Sequence, residues 1–164
     1  TLEAATRRLM VLHFDEDFQD EVQLIINSPG GYLDATWSFI DIMRFVKNPI
    51  RTIAVGEICS AATMIFIAGD YRVMSPNSVA MIHQYSSFAM GTHTDLVAEL
   101  KIQDMHHKRI VNHFISCSKY SSAKAIESNV LLKYDNWLDP KEMMSHGMCD
   151  EIYKPPKKRI KRSK

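Results

Sequence analysis

The sequence predicts an α/β fold with a largely parallel sheet, because short apolar, β-rich runs alternate along the chain with longer segments of helical periodicity. The chain has 164 residues, of which 46% are hydrophobic and 24% are charged. This composition can build one domain with a real core, and it excludes a chain that is disordered throughout. No repeat or linker divides residues 1–153, so we expect one domain there, followed by a basic tail at residues 154–164.

The first elements are a helix, a strand and a second helix. Residues 1–13 place apolar side chains on one helical face. A β-rich run at residues 22–26 ends abruptly at a turn that contains Gly31. Residues 32–46 have the apolar spacing of an amphipathic helix, which Pro49 ends.

The middle of the chain predicts three more strands. Residues 50–55 read as a buried strand that Gly56 breaks, and residues 60–68 as an apolar helix. Two further strands, 71–74 and 79–82, lie on either side of a Ser-Pro-Asn turn.

A long helix dominates the second half of the chain. Residues 94–118 keep a helical pattern with few breakers, and at 1.5 Å per residue they would span roughly 38 Å. The polar and charged side chains of residues 104–109 cover almost the whole circumference of the helix. We therefore expect this helix to project from the domain and pack against another subunit. Its histidines, His106, His107 and His113, are interpreted as surface residues. Two short helices are predicted after it: residues 122–129 and 140–146.

The net charge of +1 conceals an asymmetry between the domain and the tail. Residues 154–164 carry seven Lys or Arg and no acid, which leaves 13 basic against 19 acidic residues, a net charge of −6, in residues 1–153. A domain with this charge is a poor general nucleic-acid binder. The tail is either a localisation signal, a hook for an acidic partner, or a solvated disordered end.

Membrane insertion and secretion are not predicted. The longest strongly apolar stretch, residues 61–69, is far short of the about 20 residues that a spanning helix needs. The first residues show no secretory signal pattern. Three widely spaced cysteines match neither a disulfide framework nor a metal motif, which favours a reducing compartment, and no cofactor or metal site is predicted.

Candidate catalytic residues lie where predicted strands end. Ser60 begins an apolar helix four residues after Gly56, the glycine that breaks the predicted strand. There it is either a helix cap or a nucleophile beside free backbone N–H groups. His83 ends another strand, and Asp135 lies in a polar break before an apolar pair. The carboxyl ends of parallel strands meet at one edge of a sheet, so a Ser-His-Asp arrangement can form there.

Four segments together resemble the ClpP family, the proteolytic subunits of the Clp ATP-dependent protease. They match a strand and glycine loop, a nucleophile motif, a Pro-Asn-x-x-x-Met-Ile-His-Gln segment and the stretch that carries the catalytic aspartate, at residues 26–31, 56–61, 75–84 and 135–138. The resemblance covers essentially residues 1–153. It implies a ClpP/crotonase-like α/β fold in which the long helix is the projecting handle.

The resemblance also implies the chemistry. Ser60 is expected as the nucleophile, His83 as the general base and Asp135 as its orienting partner, with the backbone N–H groups of Gly31 and Ala61 forming the oxyanion hole.

Peptide substrates are expected to bind as an added strand. The residues implied in that binding are Gly30, Tyr32, Gln84 and Tyr85. A stretch at residues 85–87 replaces a Pro-Leu-Gly-like sequence beside the substrate cleft, which predicts a different side-chain preference. The family's N-terminal segment, with its first strand and axial loops, has no counterpart in this sequence.

By the same resemblance the chain is expected to be a serine endopeptidase subunit that degrades unfolded polypeptides in a chamber of two stacked seven-subunit rings, homomeric or mixed with related subunits. Its expected partner is an AAA+ Clp ATPase, with no nucleic acid and no membrane, in the cytosol or an organelle. Two alternatives remain: a non-catalytic structural subunit of mixed rings, and an acyl-CoA enzyme of the related crotonase superfamily.

Overall fold

The computed structural model describes residues 1–154, so the predicted basic tail lies, apart from Lys154, outside the described residues. Helices and strands alternate through most of the chain, as the sequence predicts. In chain order the elements are α1 (Leu2–Phe14), β1 (Val22–Ser28), α2 (Leu33–Phe45), β2 (Ile50–Cys59), α3 (Ala61–Ile67), β3 (Tyr71–Met74), β4 (Val79–Ile82), α4 (His93–Ser116), α5 (Ala123–Asn129), β5 (Asn136–Leu138), α6 (Pro140–Ser145) and β6 (Glu151–Ile152).

The strands form one mixed sheet centred on β2. The order is β5-β4-β2-β3-β6, and β1 also pairs with β2. The pairs β1–β2, β2–β3, β2–β4 and β3–β6 are parallel, and β4–β5 is antiparallel. The expected α/β fold with a largely parallel sheet, consistent with the ClpP/crotonase type, is confirmed.

The strand β2 changes partners halfway along its length. Its first half lies between β1 and β3, whereas its last residues pair with β4. The register with β1 shifts between Ile26 and Ser28. At this irregularity Gly56 has a φ of +67°, and the side-chain oxygen of Asn27 accepts a hydrogen bond from the backbone N–H of Glu57 at 3.2 Å. The shift turns the end of β2 away from β3 and towards β4.

The sequence-based end of this strand at Gly56 is therefore wrong. Glycine was interpreted as a break, but here it supplies the backbone conformation of a bulge, and the strand continues to Cys59. This correction matters for the site because the four added residues carry the chain to Ser60.

The helix α3 is the centre of the core. All seven of its residues are buried, as the uninterrupted apolar sequence of the segment predicts. The hydroxyl of Thr52 on β2 donates to the carbonyl of Phe66 at 2.7 Å, and Gly69 packs directly on the Thr52 side chain, where a Cβ would collide with it. The C-terminal end of α3 is thus held against the sheet.

The long helix α4 has an exposed part and a buried part. Thr92 and Asp95 form a reciprocal capping box at its start, and it ends at Ser116, close to the predicted bounds. Most side chains over residues 93–109 are exposed, and the buried ones begin at Ile110. None of the helices in the described part of the chain combines the length and apolarity needed to cross a bilayer.

One histidine of α4 is a core residue. His113 is only 3% exposed, so its interpretation as a surface residue is wrong. Its Nε2–H donates to the carbonyl of Met64 at 2.9 Å, and its Nδ1 accepts from Arg44 at 3.3 Å. Burial is the main reason that its pKa falls from the ordinary 6.5 to about 4, and the nearby charge of Arg44 acts in the same direction against the bond to Met64. The ring is therefore neutral in the folded protein at neutral pH.

This buried ring predicts a loss of stability in mild acid. The unfolded chain binds a proton on His113 near pH 6.5 and the folded chain only near pH 4, so the free energy of unfolding should fall as the pH drops between these values. The full loss from this group is at most about 3 kcal/mol. Denaturant titrations at pH 7, 5.5 and 4 should show the fall, and His113→Gln, which keeps a donor and an acceptor, should reduce it. His146, whose pKa burial also lowers, contributes to the part that remains. Asp150 acts at lower pH. Its hydrogen bond with Arg72 is the main reason that the pKa of its carboxyl is lowered from 3.8, so its own effect on the free energy of unfolding lies below that pH. An equal fall in the variant would contradict this role of His113.

Candidate active site

Ser60 occupies a strained turn between β2 and α3. Its φ of 55° and ψ of −120° make it the one non-glycine residue with a positive φ among residues 1–154. An L-residue pays about 1–3 kcal/mol for such a backbone, and positions of this kind cluster at functional sites. Its hydroxyl caps no N–H of the helix, so the cap interpretation of this serine fails.

Two neighbours hold this turn in place. The backbone N–H of Ser60 donates to the carbonyl of Met81 on β4 at 2.7 Å. The hydroxyl of Thr63 lies within hydrogen-bonding distance of the carbonyls of Ile58, at 2.7 Å, and of Met81, at 3.2 Å. Because the end of β2 pairs with β4, the serine is tied to the strand that leads to His83.

The histidine predicted as the base reaches the serine. His83 follows β4 directly, and its Nε2 lies 2.8 Å from the Oγ of Ser60. Both residues are half-buried, so they face a cleft rather than the core or open solvent. A hydrogen bond of this length is the geometry that a general base needs to take the hydroxyl proton.

Asp135 lies next to His83 in the sheet, but its carboxylate makes no hydrogen bond to the imidazole among the described residues. Ile82 and Asn136 are opposite each other in the antiparallel pair β4–β5, which puts Asp135 beside His83 one step further along the strands. Its side chain is exposed, and within residues 1–154 no hydrogen bond joins it to the imidazole. The buried amide of Asn136, which the sequence analysis did not single out, fixes this segment by donating to the carbonyl of Val130 at 3.0 Å.

The glycine turn after β1 packs against the serine. Gly30 has a φ of +104°, and a Cβ there would lie 2.6 Å from the carbonyl oxygen of Cys59 and 3.0 Å from the Cβ of Ser60. Gly31 has open space around its Cα and lines the same cleft as Ser60. Among residues 1–154, neither Gly31 nor Ala61 donates its N–H to a backbone carbonyl, so both amides remain available for an oxyanion.

The cleft in front of Ser60 has a volume of about 310 Å³ and contains two of the four residues expected to bind substrate. Tyr32 and Tyr85 line it. Gly30 instead lines a neighbouring cavity behind the glycine turn, and the amide of Gln84 donates to the carbonyl of Leu131 at 3.4 Å, outside the cleft lining.

One wall of this cleft comes from α4 and was missed by the sequence analysis. Glu99, Ile102, Gln103 and His106 line it. The signal in the sequence is their spacing at i, i+3, i+4 and i+7, which places them on one face of the helix. That face was overlooked because the whole helix was interpreted as an assembly surface.

The neighbouring thiol is a weak competitor for the role of nucleophile. Cys59 is buried, and burial together with the charge of Glu57 raises the pKa of its thiol, against a hydrogen bond with Met81. A thiol that is protonated and turned into the core does not attack a substrate in the cleft.

A serine and a histidine joined by a hydrogen bond at the carboxyl edge of a mostly parallel α/β sheet form a site suited to acyl transfer. The protein-family model for Clp protease matches residues 2–156 of this chain. The chain therefore belongs to the Clp protease family, whose members are typically serine peptidases.

The two adjacent glycines provide a matched test of the turn at Ser60. Gly30→Ala should lower the free energy of unfolding by about 1–3 kcal/mol or more, because the added Cβ meets the carbonyl of Cys59 and the φ is unfavourable. Gly31→Ala should change it by less than about 0.5 kcal/mol, since nothing lies within 4 Å of the added atom. Thermal or denaturant unfolding of both variants measures the difference. Equal stability of the two variants would mean that Gly30 does not pack against Ser60 as described.

Proposed function

We propose that this chain is the serine endopeptidase subunit of a self-compartmentalised, ATP-dependent Clp-type protease that hydrolyses unfolded polypeptides to short peptides. In this proposal Ser60 is the nucleophile, His83 the general base and Asp135 its orienting partner. The observation that carries it is the distance of 2.8 Å between the Nε2 of His83 and the Oγ of Ser60, which lies in a strained turn. Beside this turn, the N–H groups of Gly31 and Ala61 donate to no backbone carbonyl among residues 1–154.

The proposed reaction is an acyl transfer in two steps. The Oγ of Ser60 attacks the peptide carbonyl carbon while its proton moves to the Nε2 of His83. The C–N bond then breaks, and the imidazolium returns the proton to the leaving amine. Water next attacks the ester with His83 again as the base, which releases the carboxylic acid and restores the Ser60 hydroxyl.

The negative charge that develops on the carbonyl oxygen needs donors. In the proposal these are the N–H groups of Gly31 and Ala61, which the glycine turn and the start of α3 present beside Ser60. Because both donors are backbone groups, the hole does not depend on the side chain at position 61.

In the proposal, the Asp135 side chain rotates from its described conformation in order to orient the imidazole of His83. It already lies beside His83 in the β4–β5 register. Its exposed carboxylate can turn towards the Nδ1 side of the imidazole, which has no hydrogen-bond partner among residues 1–154, without unfolding any element. A bond there would fix the tautomer and stabilise the imidazolium.

The exposed part of α4 supports the assembly that we propose. Five large apolar side chains are exposed along it: Leu96, Val97, Leu100, Ile102 and Met105. Exposed apolar side chains of this number on one helix are typical of a surface that another subunit covers. We propose two stacked heptameric rings, served by an AAA+ Clp unfoldase, and light scattering that shows an active monomer would contradict this assembly.

The second candidate function is a structural subunit of mixed rings that does not cut. The specific observation in its favour is the exposed carboxylate of Asp135, which makes no hydrogen bond to His83 within the described residues. A dyad without an orienting group would be a weak catalyst.

Covalent labelling of the assembled protein separates the two functions. A fluorophosphonate probe should label Ser60, as located by peptide mass spectrometry. Ser60→Ala and His83→Ala should each abolish labelling and peptide cleavage, and Asp135→Asn should lower the cleavage rate by about 10³–10⁴-fold through the wrong tautomer.

Cys59→Ala is the matched control, because it removes a nucleophilic atom one residue from Ser60 while leaving the turn intact. Its labelling should equal that of the unmodified protein. Labelling that survives in Ser60→Ala and disappears in Cys59→Ala would contradict the mechanism. No labelling and no cleavage in the full assembly would favour the structural subunit.

A further inference from the structure

His83 lies at the point where the backbone pairing of the sheet ends. The strands β4 and β5 pair as far as Ile82, and among residues 1–154 no backbone hydrogen bond holds residues 83–90, which form neither a helix nor a strand. Within the same part of the chain, the imidazole has one hydrogen-bond partner, the Oγ of Ser60. Strand pairing therefore brings His83 to Ser60 from one side only, and other contacts must hold the chain that follows it.

Side chains hold this segment, and they alternate between two sides of it. Tyr85 lies on the same side as His83, because both are half-buried and both line the cleft. Gln84, between them, is exposed and donates in another direction, to the carbonyl of Leu131 at 3.4 Å. This alternation is typical of an extended backbone, in which residues i and i+2 share a side. Tyr85 is thus the first side chain after the base that can hold the segment on the side of the cleft.

The hydroxyl of Tyr85 bonds to the interior of α4. It donates to the backbone carbonyl of Gln103 at 2.7 Å, and among residues 1–154 this is the one hydrogen bond between residues 83–90 and α4. A carbonyl within a helix has a second lone pair that can accept from such a donor. Burial is the main reason that the pKa of the Tyr85 hydroxyl is raised, and the charges of Asp104 and Glu99 act in the same direction. The hydroxyl therefore remains a donor.

The ring of Tyr85 is held together with its hydroxyl. It packs edge-on against His106 of α4, with the ring centroids 6.0 Å apart. It also lines a small cavity of about 20 Å³ beside Ser60 and His83. The other walls of this cavity are apolar residues, namely Leu33, Met64, Ile82, Ile110 and Phe114. A side chain fixed by the core and by α4 can hold the backbone two residues after the base.

We propose that Tyr85 is a positioning residue for the base. Its bond to the carbonyl of Gln103 holds the segment after β4 where the Nε2 of His83 stays within reach of the Oγ of Ser60. The backbone of α4 thereby takes part in the site, although it does not touch the reacting atoms. This inference rests on the proposed peptidase function and adds a residue that places its base.

Tyr85→Phe tests the proposal in the assembled protein, because it removes the hydroxyl and keeps the ring in the wall of the cleft. The kcat for a short fluorogenic peptide should fall by about three- to tenfold, the range expected for the loss of one neutral hydrogen bond. The KM should change by less than about twofold, since the substrate still meets the same ring. The rate at which a small fluorophosphonate labels Ser60 should fall by the same factor as kcat.

Tyr120→Phe is the matched control. Tyr120 is also half-buried, and its hydroxyl also makes one hydrogen bond of 2.7 Å, to the Nδ1 of His146. Neither of these two residues lines the cleft. The variant should lose about as much stability as Tyr85→Phe and keep the kcat and the labelling rate of the unmodified protein. An equal loss of kcat in both variants would overturn the inference, because it would reflect a general loosening of the fold.

A second measurement does not need turnover. Diethyl pyrocarbonate modifies neutral imidazoles, and peptide mass spectrometry locates the modified histidine. His83 should react at least about threefold faster in Tyr85→Phe than in the unmodified protein, and at an unchanged rate in Tyr120→Phe.

The two measurements separate this inference from the proposed function. Unchanged kcat and labelling in Tyr85→Phe, in a protein that cleaves peptides through Ser60, would overturn the inference and leave the proposed function standing. Faster modification of His83 in Tyr85→Phe, in a protein that neither cleaves peptides nor is labelled, would overturn the proposed function and support the positioning role. An unchanged rate of His83 modification would overturn the inference in either case.

Discussion

The change of partner along β2 is the constraint on which the site depends. A strand that paired with β1 and β3 over its whole length would end far from β4, and the segment after β4 would have no defined relation to Ser60. The register shift beside Gly56 redirects the last residues of β2 onto β4, and the bond from the N–H of Ser60 to Met81 extends that pairing into the turn. The distance between His83 and Ser60 follows from this backbone pairing rather than from side-chain flexibility.

The strained backbone at Ser60 persists because the packing around the turn excludes a relaxed conformation. Strand pairing holds it on one side, buried α3 on the other, and Gly30 lies against it from the glycine turn. A relaxed helix cap at this position would turn the hydroxyl towards the backbone and away from His83. The energy spent on the unfavourable backbone is offset by core packing, and the hydroxyl remains directed at the base.

The sequence was informative where a local pattern determines the structure. Ser60 and His83 were found because both follow apolar runs that end in polar residues, and the carboxyl ends of parallel strands converge at one edge. The continuation of β2 past Gly56 was missed because one glycine can break a strand or form a bulge, and only the partner strand decides between them. His113 was missed since its burial depends on Arg44 and Met64, which are distant in sequence.

The wall that α4 contributes to the cleft could be predicted only in part. The spacing of Glu99, Gln103 and His106 shows that they share a face, but not which segment that face meets. The position of Asp135 shows a similar limit: strand register brings it beside His83, whereas the contact of its carboxylate depends on a side-chain rotation that no pattern encodes.

The structure of the assembled protein bound to a peptide boronate tests the central claim most directly, because boron takes the tetrahedral geometry of the proposed intermediate. The account predicts a bond from boron to the Oγ of Ser60. It also predicts one boronate oxygen within hydrogen-bonding distance of the N–H groups of both Gly31 and Ala61. A boronate bound to another residue, or an oxygen that meets neither amide, would contradict the account.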